Sequence, residues 1–269
     1  MSGHTIEICG LSYHYPDGTV ALQNVTITIP LHRRTAILGA NGCGKSTLLR
    51  HLNGLLLPQK GSITIAGRPL TSKTASEMRR SVGLLFDNPD NQLFSPTVEA
   101  DISFGPSNLG MDKGEIQRRT QSAMEQMEMT KLREKPPYNL SLGQKKRCAI
   151  AGILAMEPEI MLMDEPFSGL DAASLRQLLA TLDALADQGV SQIMSTHDVD
   201  LAYDWAEHVI VMEKGGVLAS GDRTLMSDVS LMKRANLTCP ILVRLFSGLG
   251  PVPVGFAAAR QTLEVLTKG

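Results

Sequence analysis

The segment from Gly39 to Ser46 constrains the fold more than any other part of the chain. It reads Gly-Ala-Asn-Gly-Cys-Gly-Lys-Ser, which is the spacing of a phosphate-binding loop. The short apolar run Ala36–Leu38 precedes it, and leucines at helical spacing follow from about Lys45. Such a loop joins a strand to a helix, because backbone N–H groups and the helix N-terminus together attract phosphate. The segment therefore predicts an α/β fold that binds a phosphorylated ligand.

Strands and helices alternate along most of the chain, which predicts a mostly parallel core sheet covered on both faces. The predicted strands span residues 5–15, 21–30, 36–38, 61–66, 160–163, 191–195, 209–213 and 217–220. The first two predict an antiparallel β subdomain at the N-terminus, and the last two predict a hairpin closed on Gly215-Gly216. Residues 96–157 interrupt the alternation with a helical pattern, so we expect an inserted helical subdomain there.

A second acidic motif follows the apolar run Ile160–Met163. Four apolar residues predict a buried central strand, so Asp164 should emerge at its carboxyl end beside the phosphate loop. We expect Asp164 to hold Mg²⁺ through water and Glu165 to polarise the attacking water as general base. Lys45 should reach the β- and γ-phosphates, and the hydroxyl of Ser46 should ligate Mg²⁺.

The composition excludes several classes of protein. Lys plus Arg (26) nearly balances Asp plus Glu (27), so the basic stripe of a nucleic-acid-binding protein is not expected. The four cysteines have no CxxC spacing, which gives no indication of a zinc site or a disulfide framework. The longest apolar stretch, Cys148–Met156, is far shorter than the roughly 20 residues that span a bilayer, and the first residues lack signal-peptide features. We expect a cytosolic protein that does not cross a membrane by itself.

Three further motifs resemble those of ATP-binding-cassette proteins. Leu140–Arg147 resembles the LSGGQ signature, Ser168–Asp171 resembles the D-loop, and Ser195–Asp198 resembles the segment of the switch histidine. The resemblance runs from about residue 5 to 225 and implies a P-loop NTPase cassette in residues 1–225, with a helical subdomain at about 96–157. Residues 226–269 would then be a C-terminal extension.

The family resemblance implies a head-to-tail pair of cassettes that hydrolyses ATP with Mg²⁺. Each ATP would lie between one phosphate loop and the partner's signature, with His197 sensing the γ-phosphate and Asp171 linking the two sites. The residues expected to bind ATP from their own chain are Tyr15, Gly39, Asn41, Gly42, Cys43, Gly44, Lys45, Ser46 and Thr47. The residues expected to contact the partner's ATP are Ser141, Gly143 and Gln144. Because the chain carries both halves of a site, a homodimer is the simpler prediction.

Tyr15 stands where the family has the aromatic residue that stacks on adenine. A tyrosine at this place could instead be buried or face the hairpin, and neighbouring Tyr13 is the better candidate for a core residue. We expect Tyr15 to stack on the base.

Two residues depart from the family pattern. Asp87 replaces the usual glutamine of the segment Phe-Gln-Asn-Pro, so we expect it to keep a metal-binding role and to slow hydrolysis by adding negative charge. Leu142 replaces a glycine of the signature, which puts a side chain beside the partner's nucleotide. Cys43 should be partly exposed, so that thiol alkylation blocks activity and ATP protects against it.

Three local segments resemble energy-coupling-factor importers. Asn88–Phe94 resembles NPDDQLF, Phe104–Pro106 matches the FGP that follows it, and Cys239–Phe246 resembles a P-x-x-x-R-L-F tail. The resemblance implies that residues 86–108 dock a membrane-embedded coupling subunit, that a substrate-binding membrane subunit completes the complex, and that the tail helps two ATPases to dimerise. It implies a peripheral protein on the cytoplasmic face of the membrane. Within this group the sequence most resembles the cobalt and nickel importer ATPases of the CbiO type, which implies cobalt or nickel as cargo. A vitamin such as biotin remains an alternative, and a soluble non-transport cassette ATPase is a more distant one.

Overall fold

Strands and helices alternate as the sequence predicts, and the computed structural model describes the chain from residue 5 to residue 266. The strands are β1 (Thr5–His14), β2 (Val20–Pro30), β3 (Arg34–Leu38), β4 (Lys60–Ile65), β5 (Arg68–Pro69), β6 (Val82–Leu85), β7 (Ile160–Asp164), β8 (Ser191–Thr196), β9 (His208–Glu213) and β10 (Gly216–Asp222). The helices are α1 (Lys45–Leu52), α2 (Ala75–Ser81), α3 (Val98–Asn108), α4 (Lys113–Gln126), α5 (Leu142–Leu154), α6 (Ala172–Asp187), α7 (Val199–Trp205), α8 (Val229–Arg234), α9 (Ile241–Leu245) and α10 (Gly255–Leu266).

The larger sheet has the strand order β10-β9-β3-β8-β7-β6 and is parallel except for the edge strand β10. Strands β6, β7 and β8 are buried throughout, as expected for a parallel sheet covered on both faces. The carboxyl ends of the central strands β3, β8 and β7 therefore meet at one edge. The segments that follow these three strands begin at Gly39, His197 and Glu165, so three sequence motifs come together there.

The smaller sheet is antiparallel, with the order β2-β1-β4-β5, and it confirms the predicted N-terminal subdomain. Alternate residues such as Ile6 and Ile8 point into a core shared with α1. Leu48, Leu49 and Leu52 of α1 are fully buried in that core. Each buried leucine contributes about 1.5–3 kcal/mol, so this packing fixes the helix that begins at the phosphate loop.

Helices α3, α4 and α5 occupy the predicted helical stretch and pack against one another. Met124 and Met127 are buried between them, as their helical spacing predicts. Strands β5 and β6 were not predicted. One expectation was wrong, because the hairpin of β9 and β10 turns on Lys214-Gly215, one residue earlier than expected. Both turn residues have positive φ (45° and 81°), as a type I′ turn requires, and Gly216 already pairs with Glu213.

The C-terminal helices α8, α9 and α10 are attached to the main body. Phe246 is buried, and Val243 belongs to the same core as the helical stretch. Two carboxylates of α7 also hold this segment: Asp200 accepts the N–H of Ile241 at 2.5 Å, and Asp204 accepts the N–H of Gly255 at 3.1 Å. The division of the chain at residue 225 into a cassette and a C-terminal extension remains a prediction. Residues 1–4 of the first part and 267–269 of the second lie outside the described part of the chain.

Candidate functional site

The phosphate loop joins β3 to α1 through positions that only glycine fits. Gly44 precedes the first residue of α1 with φ of 106°, and a Cβ there would lie 2.5 Å from the carbonyl oxygen of Ala21. A Cβ on Gly39 would lie 2.6 Å from the carbonyl oxygen of Met212. The loop is thus pressed against neighbouring backbone, and its own backbone is left free to approach a ligand closely.

Lys45 begins α1 and its side chain turns back over the loop. Its Nζ donates to the carbonyl oxygens of Gly39 at 2.7 Å and Ala40 at 3.2 Å. Within residues 5–266 no carboxylate lies within ion-pair distance of this ammonium group. Its positive charge is therefore held beside the loop without an anionic protein partner, which suits it to a phosphate group.

The acidic motif lies at the carboxyl end of β7, as predicted. Asp164 is buried and accepts a hydrogen bond from the hydroxyl of Ser195. The backbone N–H of Glu165 donates to the carbonyl oxygen of Ser195 on the neighbouring strand at 3.1 Å. Strand β8 thus fixes both acidic residues at the edge of the sheet.

The carboxylate of Glu165 lies between the last residue of β8, Thr196, and the residue that follows the strand, His197. Its Oε1 is 2.9 Å from Nδ1 of His197, and its Oε2 is 3.4 Å from the hydroxyl of Thr196. The His197 side chain is 59% exposed and that of Glu165 is 19% exposed. The pair therefore faces the space above the sheet, with the imidazole positioned to contact both the carboxylate and a ligand.

These motifs line one cavity of about 600 Å³ at the carboxyl edge of the sheet. Among the predicted site residues it includes Tyr15, Asn41, Gly42, Gly44, Lys45, Ser46, Thr47, Asp87, Asp164, Glu165 and His197. The structure therefore brings together most of the residues that were predicted to bind ATP from their own chain. Thr19, Val20, Ala21, Asn88 and Ser168 also line the cavity and were not predicted. They come from loops and from the start of β2, and their local sequences carry no phosphate-binding pattern.

Tyr15 lies at the wall of this cavity, directly after β1. Its hydroxyl is 3.1 Å from that of Thr47, one residue beyond the loop. Tyr13 packs edge-to-face on His51 with ring centroids 4.8 Å apart, and it contributes to the core, as expected. The two tyrosines therefore differ in surroundings, and the half-buried ring of Tyr15 is the one that a ligand can reach.

The three residues predicted to contact a partner's ATP lie outside the cavity. Ser141 caps the N-terminus of α5, where its hydroxyl accepts the N–H of Gln144 at 3.3 Å and the Gln144 side chain accepts the N–H of Ser141 at 3.1 Å. Gly143 lies against Ser174 of α6, since a Cβ on it would be 2.8 Å from that hydroxyl. Such positions fit the expectation that this segment serves the site of a partner subunit, which remains a prediction.

The expected exposure of Cys43 was wrong. Its side chain is buried, does not line the cavity and lies beneath Gly39, where a Cβ would be 2.6 Å from its sulfur. Burial raises the pKa of the thiol above its usual value. The sequence places Cys43 in the loop but does not reveal which side of the loop it faces.

Lys146 is a site neighbour that sequence reasoning missed. It is buried in α5, and its Nζ donates to three carbonyl oxygens of the segment after β7. A signal was present, because Lys146 lies four residues after Leu142 and four before Ile150, on the apolar stripe of the helix.

The residues present fit Mg²⁺ bound together with a nucleotide. Ser46, Asp87 and Asp164 line the cavity and offer one hydroxyl and two carboxylates, the oxygen ligands that Mg²⁺ prefers. In the described part of the chain, no group of three or more His, Cys, Asp or Glu side chains could hold a metal ion alone. This agrees with the usual binding of Mg²⁺ by one or two carboxylates, water and substrate phosphates.

Comparison with known protein families and curated proteins matches this chain to ATP-binding proteins of transporters. The model of the ABC transporter family matches residues 22–168. The energy-coupling factor transporter ATP-binding protein EcfA of Carboxydothermus hydrogenoformans is 46% identical over 96% of this chain and 97% of its own length. EcfA of Methanocaldococcus jannaschii is 42% identical over 94% of both chains.

The solved structures that this chain resembles are also ATP-binding cassettes. CbiO1 from Clostridium perfringens, described as part of the ABC transporter complex CbiONQ, is 37% identical with a TM-score of 0.75 over 91% of this chain and 99% of that chain. A dimeric ATP-binding cassette, MJ0796 bound to ADP and Pi in a post-hydrolysis state, has a TM-score of 0.74 and 26% identity over 81% of this chain and 98% of that chain. Among residues 5–266, no helix is both long and apolar enough for a bilayer crossing.

Proposed function

This chain belongs to the ABC transporter family, and from that membership we propose that it is the ATP-hydrolysing energy-coupling subunit of an energy-coupling-factor importer, with cobalt or nickel ions as the cargo. ATPase activity follows from the family itself. The observation that carries the catalytic part is the contact of Glu165 with His197 at 2.9 Å, in the cavity that also contains Lys45 and Asp164.

In the proposed hydrolysis, each of these residues has a separate role. Lys45 and the loop N–H groups bind the β- and γ-phosphates, and Tyr15 stacks on adenine. Glu165 orients the attacking water and takes its proton, while His197 contacts the γ-phosphate and the carboxylate together. Ser46, Asp164 and Asp87 would hold Mg²⁺, which when bound would neutralise negative charge on the phosphates.

Catalysis requires a second copy of the chain. Ser141, Gly143 and Gln144 lie outside the cavity of their own chain, at the N-terminus of α5. In a head-to-tail dimer these groups complete the partner's site, because hydrogen-bond donors at a helix N-terminus favour the γ-phosphate. The similarity to a cassette described as dimeric supports this arrangement.

Transport requires a surface that contacts membrane subunits. Phe94 and Phe104 are exposed side by side, with ring centroids 4.7 Å apart, at a cavity of about 440 Å³ formed by residues that include Phe86 and Leu93. An exposed aromatic pair over an apolar cavity suits the docking of an apolar helix. We assign this surface to the membrane-embedded coupling subunit, which holds the ATPase at the cytoplasmic face of the membrane.

The cobalt and nickel assignment rests on the importer-like segments of the sequence. The similarity to CbiO1, described as part of the ABC transporter complex CbiONQ, supports a transport role but specifies no cargo. The names of the relatives called EcfA specify no cargo, so an importer of a vitamin such as biotin stays the alternative. Nothing in the cavity needs to touch the cargo, so the membrane subunits decide between these alternatives.

The catalytic assignment is tested with Glu165→Gln, which keeps the size of the side chain and removes the base. We expect ATP hydrolysis to fall by about 10²- to 10⁴-fold while ATP still binds. A rate close to that of the unmodified chain would refute the role of Glu165.

The transport assignment is tested by purifying the chain with its membrane partners in detergent, reconstituting the complex and measuring ATP-dependent uptake of cobalt, nickel and biotin. Uptake of a metal ion that is lost with Glu165→Gln supports the proposal. Uptake of biotin alone favours the vitamin alternative, and recovery without any membrane protein would refute the importer assignment.

A further inference from the structure

Lys146 is a buried lysine of α5 whose side chain is only 1% exposed. Its Nζ donates to the carbonyl oxygens of Glu165 at 3.0 Å, Pro166 at 3.0 Å and Ser168 at 2.8 Å. Three acceptors require three N–H donors, which an ammonium group supplies and a neutral amine does not. Burial lowers the pKa of Lys146, while the negative charges of Glu165 and Asp87 raise it. The geometry therefore describes a cation whose donors all point at one backbone segment.

That segment carries Glu165 in an unusual conformation. Glu165 has φ of 46°, in the left-handed region that residues other than glycine adopt rarely. Its N–H donates to the carbonyl oxygen of Ser195, and its carbonyl oxygen accepts both Lys146 and the N–H of Ser168 at 3.2 Å. Both backbone groups of Glu165 are thus fixed, and this directs its carboxylate towards His197.

Lys146 itself belongs to a different part of the molecule. It lies in the second turn of α5, the helix that Ser141 caps, and it does not line the cavity. It therefore connects the helix that presents the signature segment to the backbone of Glu165. One side chain links the group that acts on the chain's own ATP to the helix expected to serve the partner's ATP.

We propose that Lys146 is a positioning residue for ATP hydrolysis, which holds the backbone of Glu165 in its left-handed conformation and fixes it relative to α5. This inference rests on the proposed role of Glu165 as general base. A purely structural residue on the apolar stripe of α5 would need no charge, since a buried ammonium is costly to desolvate and an apolar side chain would fill the same space. We infer that the charge of Lys146 is kept because it fixes the position of the Glu165 carboxylate.

The test compares Lys146→Met and Lys146→Gln in the full-length chain. Methionine keeps the length of the side chain and removes every donor, whereas glutamine keeps two N–H donors. We expect kcat to fall on the order of 10- to 100-fold in Lys146→Met and less in Lys146→Gln, because small displacements of a catalytic group are costly. The Kd of a non-hydrolysable ATP analogue should change less than about twofold, because Lys146 lies outside the cavity.

Lys131→Met is the control, because Lys131 is an exposed lysine in a 3₁₀ turn of the same helical region, and its kcat should be unchanged. Unchanged kcat in a folded Lys146→Met would overturn the inference. So would a parallel loss of kcat and analogue affinity in both variants, which would indicate a general structural role.

A double substitution keeps the inference testable if Lys146→Met does not fold. If Lys146 acts through Glu165, adding Lys146→Gln to Glu165→Gln should slow the residual rate no further. A further multiplicative loss would show that Lys146 acts elsewhere. If Glu165→Gln alone leaves the rate of ATP hydrolysis unchanged, the proposed general base is wrong and this inference fails with it. If Glu165→Gln slows hydrolysis but Lys146→Met does not, only the inference about Lys146 is refuted.

Discussion

Replacing Tyr15 with alanine should weaken ATP binding while leaving the phosphate loop in place. The ring lies at the wall of the cavity and is half-buried, so an adenine base can cover its remaining exposed face. The hydrogen bond between its hydroxyl and that of Thr47, at 3.1 Å, is separate from this apolar face. The two contributions can therefore be removed independently.

The magnitude follows from the stacking that alanine abolishes. Stacking of a base on an aromatic side chain contributes about 1–3 kcal/mol, which corresponds to a Kd for ATP that is about 5- to 140-fold weaker. Tyr15→Phe keeps the ring and loses only a partly exposed hydrogen bond. Its Kd should therefore stay within about threefold of the unmodified value.

The assay is calorimetric titration of ATP and of inorganic tripolyphosphate into the full-length chain at fixed Mg²⁺. Tripolyphosphate has no base, so its affinity should be the same in the unmodified chain, Tyr15→Phe and Tyr15→Ala. Equal weakening of both ligands in Tyr15→Ala would show that Tyr15 acts by holding Thr47 and the helix behind the loop. Unchanged ATP affinity would refute the stacking role.

Three further predictions concern charge, reactivity and pH. Asp87→Gln should raise ATP turnover about three- to tenfold, because it removes a negative charge beside the triphosphate; an unchanged or lower rate would contradict this. N-ethylmaleimide should modify exposed Cys9 before buried Cys43 and leave hydrolysis intact, as peptide mass spectrometry and activity assays would show; rapid inactivation that Cys43→Ser prevents would be the contrary result. Burial lowers the pKa of His51, so only the unfolded chain protonates readily and stability should fall as the pH drops below about 6.5. Urea midpoints between pH 7 and pH 5 should decline less steeply in His51→Leu, and an equal slope would count against this reasoning.

The parts of the site that depend on local sequence could be predicted. The phosphate loop needs glycines, lysine and serine at fixed spacing between a strand and a helix, and all of these are adjacent along the chain. Asp164 and Glu165 follow an apolar strand, whose carboxyl end in a parallel sheet must lie at the same edge as the loop. The placement of His197 followed for the same reason, because it comes directly after β8.

The remaining features depend on contacts between distant parts of the chain. Cys43 is buried because the loop packs against Met212, and nothing near Cys43 indicates that contact. The role of Lys146 requires the carbonyl oxygens of a segment about 20 residues away, which only the folded backbone brings together. Strand β6 was missed because a four-residue apolar run lacks the alternation that separates a strand from a buried helix.

The two carboxylates of α7 that accept N–H groups of the tail determine where this chain tolerates engineering. Asp200 and Asp204 fix the starts of α9 and α10, whereas residues 247–251 between those helices are exposed. Gly248 and Gly250 in that segment have open space around their Cα atoms. An affinity tag or a fluorescent reporter inserted at 248–250 should leave both attachments intact, because exposed loops between fixed ends accept insertions. A chain cut before residue 241 would instead lose both attachments and expose apolar core residues to solvent.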